Sequence, residues 1–462
     1  MAAQQSSDES IIGILSEYMV ESRTAPVPAD VALKTKHHIL DTIGAMVSGT
    51  TLEPGRLAIK YAEMQGGTPQ AQVVGSSLIT NAFSAALANG ILAHADETDD
   101  SHAPSGTHPG CAVVPAALAM GEKNDCSGET LLKSVVLGYD VGSRVMRALR
   151  PKDPFEGDRG RGFASHAMGG VFGAAAAASG CTDLNPVQIR HLLSYTSQQA
   201  SGITSWQTDV DHIEKAFDFA GMPARSGVTS ATMVEAGFTG VWDVFEGFNN
   251  LFDSYTVNHD RAALLNELGS RYEVMLTNIK RYCVGSPIQA PVDALLNIMR
   301  EHGVGPDDFE HMVAVTANGE NRLTGAEQSM PDINMRYLLA VSLLDGDLTF
   351  EAGHDVQRMN EPKVVEIINR IEVRADPSLV TVESPRQGVI EFTTKDGWEF
   401  RNHVVVVRGA MESPLTTEEV EVKERDLLTG VLGQERTDRL IAAIWDLESL
   451  KSVRDLRPLL SL

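Results

Sequence analysis

The chain has 462 residues, of which 43% are apolar, with a formal net charge of −24 and four cysteines. This length predicts about two or three domains, with enough apolar residues to fill their cores. The negative charge disfavours nucleic acid and anionic membranes as partners, because both would repel such a surface. The cysteines show neither a pairing pattern nor metal-ligand spacing, which is typical of reduced thiols in a cytoplasmic protein.

The first nine residues, Met1 to Glu9, are polar and acidic, unlike a secretory or mitochondrial targeting peptide. No apolar run approaches the length of a membrane span, and the run Ala174–Ala178 is far too short. The sequence therefore predicts a cytoplasmic protein without a membrane or nucleic-acid partner. An anionic ligand would need a locally positive pocket on such a chain.

Apolar residues recur at helical spacing from Glu9 to about residue 265, which predicts a helical region. Ser127 and the pair Asn185-Pro186 are predicted helix N-caps. The predicted helices that bear on the function are Asn81–Ala93, Cys111–Glu122, Glu129–Leu149, Ala167–Ser179 and Val187–Ser201. The frequent glycines in this region, such as Gly173, predict either close helix packing or close approach of the backbone to a ligand.

The pattern changes near residue 266. The predicted strands are Tyr272–Ile279, His311–Thr316, Arg370–Arg374, Gly388–Thr393 and Trp398–Val407. Lys395-Asp396-Gly397 predicts a hairpin turn between the last two strands. Helices are predicted at Ile288–Arg300 and Val364–Asn369, and helical spacing returns in Val420–Leu432 and Thr437–Leu447.

These patterns together predict a mainly α protein. We expect a discontinuous all-helical domain, made of residues 1–265 and 413–462, into which a smaller α+β lid domain is inserted at residues 266–412. The second helical segment is expected to rejoin the first, because its apolar spacing is again that of an amphipathic helix.

The stretch from His94 to Gly110 holds more titratable side chains per residue than any other part of the chain. Thr107 is a predicted N-cap and Pro109 suits a first turn, so His108 is expected where backbone N–H groups and the positive end of a helix dipole meet. Such a helix end is a predicted binding site for a substrate carboxylate. The alternative interpretation is a solvated acidic helix end.

Two lysines stand near predicted helix starts, Lys215 ahead of Gly221 and Lys280 ahead of Ser286. A lysine in such a place neutralises a carboxylate or, when it is desolvated, acts as a general base. The alternative interpretation of each lysine is a surface charge, because lysine is rarely buried without a partner.

Two further places attract attention. Arg161 and His166 form a polar segment before an alanine-rich helix, for which a basic surface loop is the alternative. Tyr337 lies in an apolar run, where core packing with a hydrogen-bonded hydroxyl is the default. The chain has no dinucleotide-binding glycine motif, phosphate-loop lysine motif, Gly-x-Ser-x-Gly or Cys-x-x-Cys. We therefore expect acid–base chemistry by positioned side chains, with no cofactor.

Several short motifs follow one another along the chain. They are Leu40-Asp41-Thr42-Ile43-Gly44, Asn89-Gly90, Asp99-Asp100, Thr107-His108-Pro109-Gly110, Phe172-Gly173-Ala174-Ala175, Lys215, Gly237-Phe238-Thr239-Gly240, Lys280 and Tyr337-Leu338-Leu339-Ala340. Taken in this order, they resemble the MmgE/PrpD family, which contains 2-methylcitrate dehydratase, cis-aconitate decarboxylase and iminodisuccinate epimerase. The resemblance covers most of the chain and implies a metal-free homodimer with a helical domain and a smaller α+β lid.

The resemblance, carried over by position, implies six catalytic residues: His108, Lys215, Lys280, Tyr337, Asp99 and Asp100. We assign carboxylate binding and proton transfer to the histidine, and charge stabilisation to the lysines, one of which is a candidate base. The aspartates would orient the histidine or hold a lysine, and the tyrosine would donate a hydrogen bond or a proton. His166 is added as a second proton carrier. The residues assigned to substrate binding are Glu97, Thr107, Arg161, Gly221 and Ser286.

Three departures from the family pattern concern histidines. Family members that act on citrate-like acids carry a histidine right after a Gly-Phe pair, where this chain has Ala164. They show another shortly after the Lys215 position, where this chain has Asp218-Phe219. The decarboxylase carries a third after the Lys280 position, where this chain reads Cys283-Val284-Gly285-Ser286.

The function predicted is cofactor-free acid–base chemistry next to a carboxylate of a small di- or tricarboxylic acid, as in a dehydratase or decarboxylase-type lyase. Epimerisation of an iminodisuccinate-like dicarboxylate shares the same intermediate. A non-catalytic carboxylate-binding homologue is another alternative, because fold does not fix function. The last alternative is Mg²⁺-dependent diphosphate chemistry at the motif Asp96-x-x-Asp99-Asp100.

Overall fold

The structure is a computed structural model, and it describes residues 9–150, 162–319, 325, 329–381 and 386–462. The described chain is mainly helical, which confirms the predicted class. None of the described helices combines the length and the hydropathy that a membrane crossing demands.

Two compact units can be separated within the chain. The helical unit comprises the described residues of Met1–Ala95, Asp99–Thr277 and Leu427–Leu462. The mixed unit comprises the short segment Asp96–Thr98 and the described residues of Asn278–Asp426. The acidic stretch around residue 96 therefore supplies residues to both units.

The helices and strands have well-defined limits. The helices are α1 Ile11–Glu21, α2 Ala29–Gly49, α3 Glu53–Gln65, α4 Ala82–Ala93, α5 Gly110–Asn124, α6 Gly128–Leu149, α7 Ser165–Gly180, α8 Pro186–Gln199, α9 Ile213–Ala216, α10 Met222–Glu235, α11 Leu251–Tyr255, α12 Gln289–His302, α13 Met335–Asp345, α14 Phe350–His354, α15 Pro362–Ile368, α16 Thr417–Leu432, α17 Gln434–Trp445 and α18 Arg457–Leu460. The strands are β1 Ala71–Gln72, β2 Ile79–Thr80, β3 Phe309–Thr316, β4 Ile371–Ala375, β5 Gly388–Thr394 and β6 Glu399–Val404.

Polar caps set the start of several helices in the helical unit. The side chain of Ser127 accepts a hydrogen bond from Thr130 N, and Asn185 forms a capping box with Gln188 before α8. Both predicted caps are confirmed, because each satisfies N–H groups that the first helical turn leaves without partners. Asn81 caps α4 in the same way through Ser84 N.

Small residues let α6 and α7 pack closely in the centre of the helical unit. A Cβ added to Gly142 of α6 would lie 2.5 Å from Gly169 O and 2.8 Å from Gly173 Cα of α7. Of the two interpretations offered for these glycines, helix packing is the one that these contacts support. The close packing of α6 against α7 thus fixes the position of the first turn of α7, which contains His166.

The mixed unit contains a four-stranded sheet with the order β4-β3-β5-β6. β3 pairs parallel with β4 and antiparallel with β5, and β5 pairs antiparallel with β6. The predicted hairpin turn is confirmed: Thr394 N donates to Trp398 O at 2.9 Å, and Gly397 has a φ of +90° that favours glycine. One face of the sheet packs on α12 and α13, and Val292, Leu338 and Phe392 belong to this core.

The predicted strand Tyr272–Ile279 is wrong. Glu273–Leu276 form a 3₁₀ turn, in which the Glu273 carboxylate is fully buried and lies 2.8 Å from Arg147 Nη1 and 2.9 Å from Arg271 Nη2. The Glu273 N–H donates to Asp140 at 2.6 Å. A buried carboxylate needs such partners, so the ion network sets the backbone here against the local strand preference. Lys280 accordingly follows a turn and not a strand end.

Candidate active site

A buried carboxylate, Asp99, lies at the centre of a group of imidazoles in the helical unit. One of its oxygens lies 3.0 Å from Nδ1 of His94, and both lie 3.1 Å from Nδ1 of His108. The side chains of His94 and Asp99 are fully buried, and that of His108 is 13% exposed. A carboxylate at Nδ1 orients an imidazole and favours the tautomer that keeps Nε2 for proton exchange. The predicted orientation of His108 by Asp99 is therefore present in the geometry.

Phe219 packs between two imidazoles of this group. Its ring stacks on His94 with centroids 4.6 Å apart and on His166 with centroids 3.9 Å apart. The rings of His108 and His166 lie edge to face at 5.0 Å, so the second predicted proton carrier is beside the first. The Lys215 Nζ lies 5.2 Å from the Phe219 ring centroid, within the range of a cation–π contact.

We define the histidine cluster as His94, Asp99, His108, His166, Lys215 and Phe219. Asp99 and His108 lie in the loop between α4 and α5, and the other members lie on or next to helical elements. His94 follows the last turn of α4, His166 lies in the first turn of α7, and Phe219 belongs to a π-helical turn, Phe217–Gly221, between α9 and α10. π-helical turns are rare and are frequent at functional sites. The cluster therefore gathers polar groups from helix ends, where a helical backbone leaves room for a ligand.

The electrostatic environment separates the roles of the imidazoles. Burial lowers the pKa of His166 well below its ordinary value, and His108, His94 and Lys215 add to the effect. His166 is therefore neutral near pH 7, and its Nδ1 is buried without a hydrogen-bond partner among the described residues. A neutral imidazole beside one that is paired with a carboxylate is an arrangement typical of proton transfer.

Asp100, next to Asp99 in the chain, has different partners. Its carboxylate accepts hydrogen bonds from His38 Nδ1 at 2.8 Å, Tyr139 Oη at 2.5 Å and Gly110 N at 3.0 Å. Burial by itself would raise the pKa of Asp100, but the bonds from His38 and Tyr139 hold it below its ordinary value. The hydrogen-bond partners of Asp100 thus come from α2, α6 and α5, and its role in this structure is to join these three helices.

The predicted capping of α5 by Thr107 is wrong. The helix begins at Gly110 after Pro109, which makes no side-chain cap, and the Gly110 N–H is taken by Asp100. Thr107 instead exchanges a hydrogen bond with Ser105 at 2.6 Å. A Cβ at Gly110 would lie 2.9 Å from an Asp100 oxygen, so only glycine allows this approach. The helix end reserved for a substrate anion therefore already holds a protein carboxylate.

The mixed unit binds the segment Asp96–Thr98 through three cationic side chains. His354 Nε2 lies 2.8 Å from Asp96, and Lys280 Nζ donates to the Glu97 carbonyl at 2.7 Å and lies 3.5 Å from its carboxylate. Lys423 Nζ donates to Thr98 O at 3.2 Å. Burial disfavours the charged form of His354, but its hydrogen bond to Asp96 outweighs this and raises the pKa to about 9. We call these residues the Asp96–Thr98 clamp.

The remaining predicted site residues lie in ordinary structural surroundings. Tyr337 is fully buried in α13, and its hydroxyl donates to Ala352 O at 2.6 Å. Gly221 lies where a Cβ would be 2.5 Å from Ile91 of α4, so it permits helix packing. Ser286 is half-buried at the start of the 3₁₀ turn Ser286–Ile288 before α12. Arg161 lies outside the described residues.

Sequence reasoning assigned no role to several residues that the structure places in these groups. They are His94, His212, Phe219, Trp206, His354 and Lys423. His94 lies inside the acidic stretch, so the density of titratable residues pointed to it. No signal in the sequence marked His354 or Lys423, which are far from residue 96 in the chain.

An open cavity of about 440 Å³ lies in the helical unit and is lined by Gly162, Phe163, Ser201, Gly202, Ile203, Ser254 and Tyr255. Its volume falls in the range of small-molecule sites. Gly162 and Phe163 lead directly into α7, the helix whose first turn carries His166.

The fold and the histidine cluster define a mainly helical protein with a buried carboxylate among imidazoles. Sequence profiles of the MmgE/PrpD N-terminal and C-terminal domains match residues 13–263 and 282–448. The chain therefore belongs to the MmgE/PrpD family, as the motifs predicted.

Individual relatives are distant but match along the whole chain. Human cis-aconitate decarboxylase is 26% identical, covering 93% of this chain and 90% of that protein. The cis-aconitate decarboxylase-like protein oryM of Aspergillus oryzae is 24% identical, covering 97% and 96%. Mouse cis-aconitate decarboxylase is 24% identical, covering 92% and 88%. Membership and these relatives support chemistry of the dehydratase and decarboxylase type and leave the substrate open.

Proposed function

We propose that this protein is a cofactor-independent lyase that acts next to a carboxylate of a small di- or tricarboxylic acid. The observation that carries the proposal is the buried Asp99 carboxylate between the imidazoles of His94 and His108, with neutral His166 beside them. The relatives are named for the decarboxylation of cis-aconitate, a tricarboxylate, and this supports the substrate class.

The chemistry needs one group that takes a proton and another that gives one. In decarboxylation the C–COO⁻ bond breaks, CO₂ leaves, and the electron pair left on carbon is delocalised and then takes a proton from an imidazolium. In dehydration a base removes the proton next to a carboxylate, and an acid protonates the departing hydroxide. Both routes develop negative charge that a nearby cation stabilises.

The histidine cluster supplies groups for these tasks. His108, whose Nδ1 is held by Asp99, serves as the acid. His166 is neutral and serves as the base, in place of the family histidine whose position is Ala164 here. Lys215 offers the ammonium charge beside the Phe219 ring, where it can face a substrate carboxylate. The roles of Lys280 and Tyr337 stay predictions.

Two of the alternatives share this cluster. The imidazoles of His108 and His166, with ring centroids 5.0 Å apart, also suit an epimerase. Such an enzyme removes a proton from one face of the carbon and returns a proton to the other face. A non-catalytic homologue would bind the same carboxylates and release them unchanged. The reaction panel below separates these cases.

Magnesium-dependent diphosphate chemistry is the least supported alternative. Each of the three carboxylates of its motif has an imidazole partner: Asp96 has His354, Asp99 has His94 and His108, and Asp100 has His38. Mg²⁺ prefers oxygen ligands and retained waters, so carboxylates already bound to imidazoles are poor candidates.

The test is a panel of cis-aconitate, 2-methylcitrate and iminodisuccinate with the purified protein. CO₂ release, alkene formation and deuterium uptake from D₂O would be followed, because deuterium uptake reports C–H labilisation even without net reaction. We expect turnover or exchange on at least one acid, reduced about 100-fold or more in His108→Gln. His259→Gln, a half-exposed histidine paired with Asp253, is the matched control. Unchanged turnover in His108→Gln contradicts the proposal.

We also propose that the protein works as a homodimer, as the family resemblance implies. Phe238, Val241 and Phe248 are 51%, 58% and 94% exposed, which is more apolar exposure than one short segment of a monomer usually shows. Light scattering after size exclusion would measure the mass; a value of one chain at micromolar concentration contradicts this proposal.

A further inference from the structure

We propose that His94, Asp99 and Cys111 form a binding site for a soft divalent cation, Zn²⁺ above all, and that its occupation inhibits the enzyme. One ligand atom from each residue lies within 4.8 Å of the other two, and all three residues are buried. The inhibition depends on the proposed function, but the binding does not.

The distances are close to what a tetrahedral zinc site needs. Zn–N, Zn–O and Zn–S bonds of about 2.0–2.3 Å place neighbouring ligand atoms about 3.3–3.8 Å apart. His94 Nδ1 and Asp99 Oδ1 are already 3.0 Å apart. The Cys111 sulfur lies within 4.8 Å of both atoms, so metal binding requires it to approach them by about 1 Å at most.

The donor set selects the kind of metal. A nitrogen, a carboxylate oxygen and a sulfur suit Zn²⁺, Co²⁺ and Cd²⁺, whereas Mg²⁺ and Ca²⁺ prefer oxygen ligands alone. Three protein ligands leave a fourth position open, which is the pattern of accessible zinc sites. The three ligands are themselves buried, and the neighbouring His108 side chain is 13% exposed.

Metal binding at this place competes with the acid–base arrangement. His108 Nδ1 lies 3.1 Å from both oxygens of Asp99, so a cation on that carboxylate removes the partner that orients His108. Cys111 binds as the thiolate, and its proton leaves to solvent. Without metal, the Cys111 thiol donates to the His108 carbonyl at 3.1 Å. Metal binding to the sulfur therefore also breaks this hydrogen bond to the His108 backbone. No redox change is involved.

The direct test uses Co²⁺ as a spectroscopic probe on the full chain, freed of metal with a chelator. We expect one bound Co²⁺ per chain with a thiolate-to-cobalt charge-transfer band, and its displacement by Zn²⁺. X-ray absorption at the zinc edge should show one sulfur and two or more nitrogen or oxygen neighbours. Co²⁺ binding without a thiolate band, or a zinc shell without sulfur, overturns the proposal on the wild-type protein alone.

Variants then separate the thiols. Cys111→Ser should lose the charge-transfer band and bind zinc more than about 100-fold more weakly, beyond the effect of removing an outer-sphere partner. The matched control is Cys283→Ser, which removes a buried thiol in the mixed unit. This variant should keep both the charge-transfer band and the zinc affinity of the wild type. Equal zinc affinity in the wild type and Cys111→Ser contradicts the site.

The activity assay separates the two parts of the proposal. Zn²⁺ should inhibit the wild type and Cys283→Ser at the concentration at which the spectroscopic titration saturates, and EDTA should restore turnover. Zinc that binds through Cys111 without slowing turnover contradicts the inhibition while the site stands. A protein without turnover on any acid contradicts the proposed function, and the cobalt spectrum still decides the site.

Discussion

Asp99 and Asp100 are adjacent, equally buried carboxylates with opposite surroundings. Asp99 faces the imidazoles of His94 and His108, one of which reaches solvent. Asp100 is held by three donors from three helices, His38, Tyr139 and the Gly110 N–H. Burial and sequence motif are the same for both, so the partners are what distinguish a carboxylate that controls an acid from one that joins helices.

The largest effect is expected for Asp99→Asn. The amide keeps the shape of the side chain but removes the carboxylate that orients His108 through Nδ1. We expect kcat/KM to fall by about 100- to 10,000-fold, the range of acid–base contributions. Steady-state kinetics on an accepted acid, measured on the folded fraction, gives this value. A variant with wild-type kinetics would remove Asp99 from the proposed site.

Asp100→Asn should show the opposite pattern. The change leaves the buried His38 with a weaker partner, and breaking a buried ion pair costs about 3 kcal/mol. Chemical denaturation measures this loss in the free energy of unfolding. The folded fraction should keep kcat/KM within about tenfold of the wild type. If instead Asp100→Asn loses activity at unchanged stability, the distinction between the two carboxylates fails.

His354→Gln tests whether a third carboxylate, Asp96, behaves like Asp100. The folded pKa of His354, about 9, is above its unfolded value of about 6.5. Its stabilising effect is therefore fully present below pH 6.5 and is lost as the pH rises through 9. We expect His354→Gln to reduce the free energy of unfolding by about 2 kcal/mol at pH 6, less than for a fully buried pair.

Chemical denaturation of the wild type and of His354→Gln from pH 5 to 10 measures what His354 contributes to the stability of the Asp96–Thr98 clamp. The two unfolding free energies should converge above pH 9. A difference that stays constant across this range would show that the His354 charge contributes nothing. Lys363→Gln, a surface change in α15, is a suitable control for loss of a positive charge in the mixed unit.

Asp218→Asn should produce the smallest effect, and it should stabilise the folded protein where the other substitutions destabilise it or reduce its activity. Burial raises the pKa of Asp218 to about 7, with Glu214 adding to the effect, and one of its oxygens has no hydrogen-bond partner among the described residues. The folded state thus binds the proton more tightly than the unfolded state, and stability falls as the pH rises from about 4 to 7. The asparagine variant removes this loss.

For Asp218→Asn we expect a higher melting temperature than the wild type at pH 8 and a vanishing difference near pH 4. Differential scanning calorimetry at both values decides the matter. A lower melting temperature at pH 8 would mean that the Asp218 carboxylate has a stabilising partner in its ionised form.

Local sequence determined much of the fold. Helical spacing of apolar residues and polar caps such as Ser127 and Asn185 predicted α4 to α8 of the helical unit, and alternation with Lys395-Asp396-Gly397 predicted the hairpin β5–β6. The order of short motifs also predicted the family. These signals act within a few residues, so a single sequence contains them in full.

Only the tertiary structure decided which polar residues meet. The Thr107 cap and the strand at residues 272–279 were wrong, because Asp100 and the partners of Glu273 come from other elements and override local preference. The partners of Asp99 and Asp100 could not be told apart in the motif, because hydrogen bonds to buried carboxylates depend on helices far apart in the chain. Composition marks where the titratable groups are dense, and long-range packing alone assigns each of them its partner.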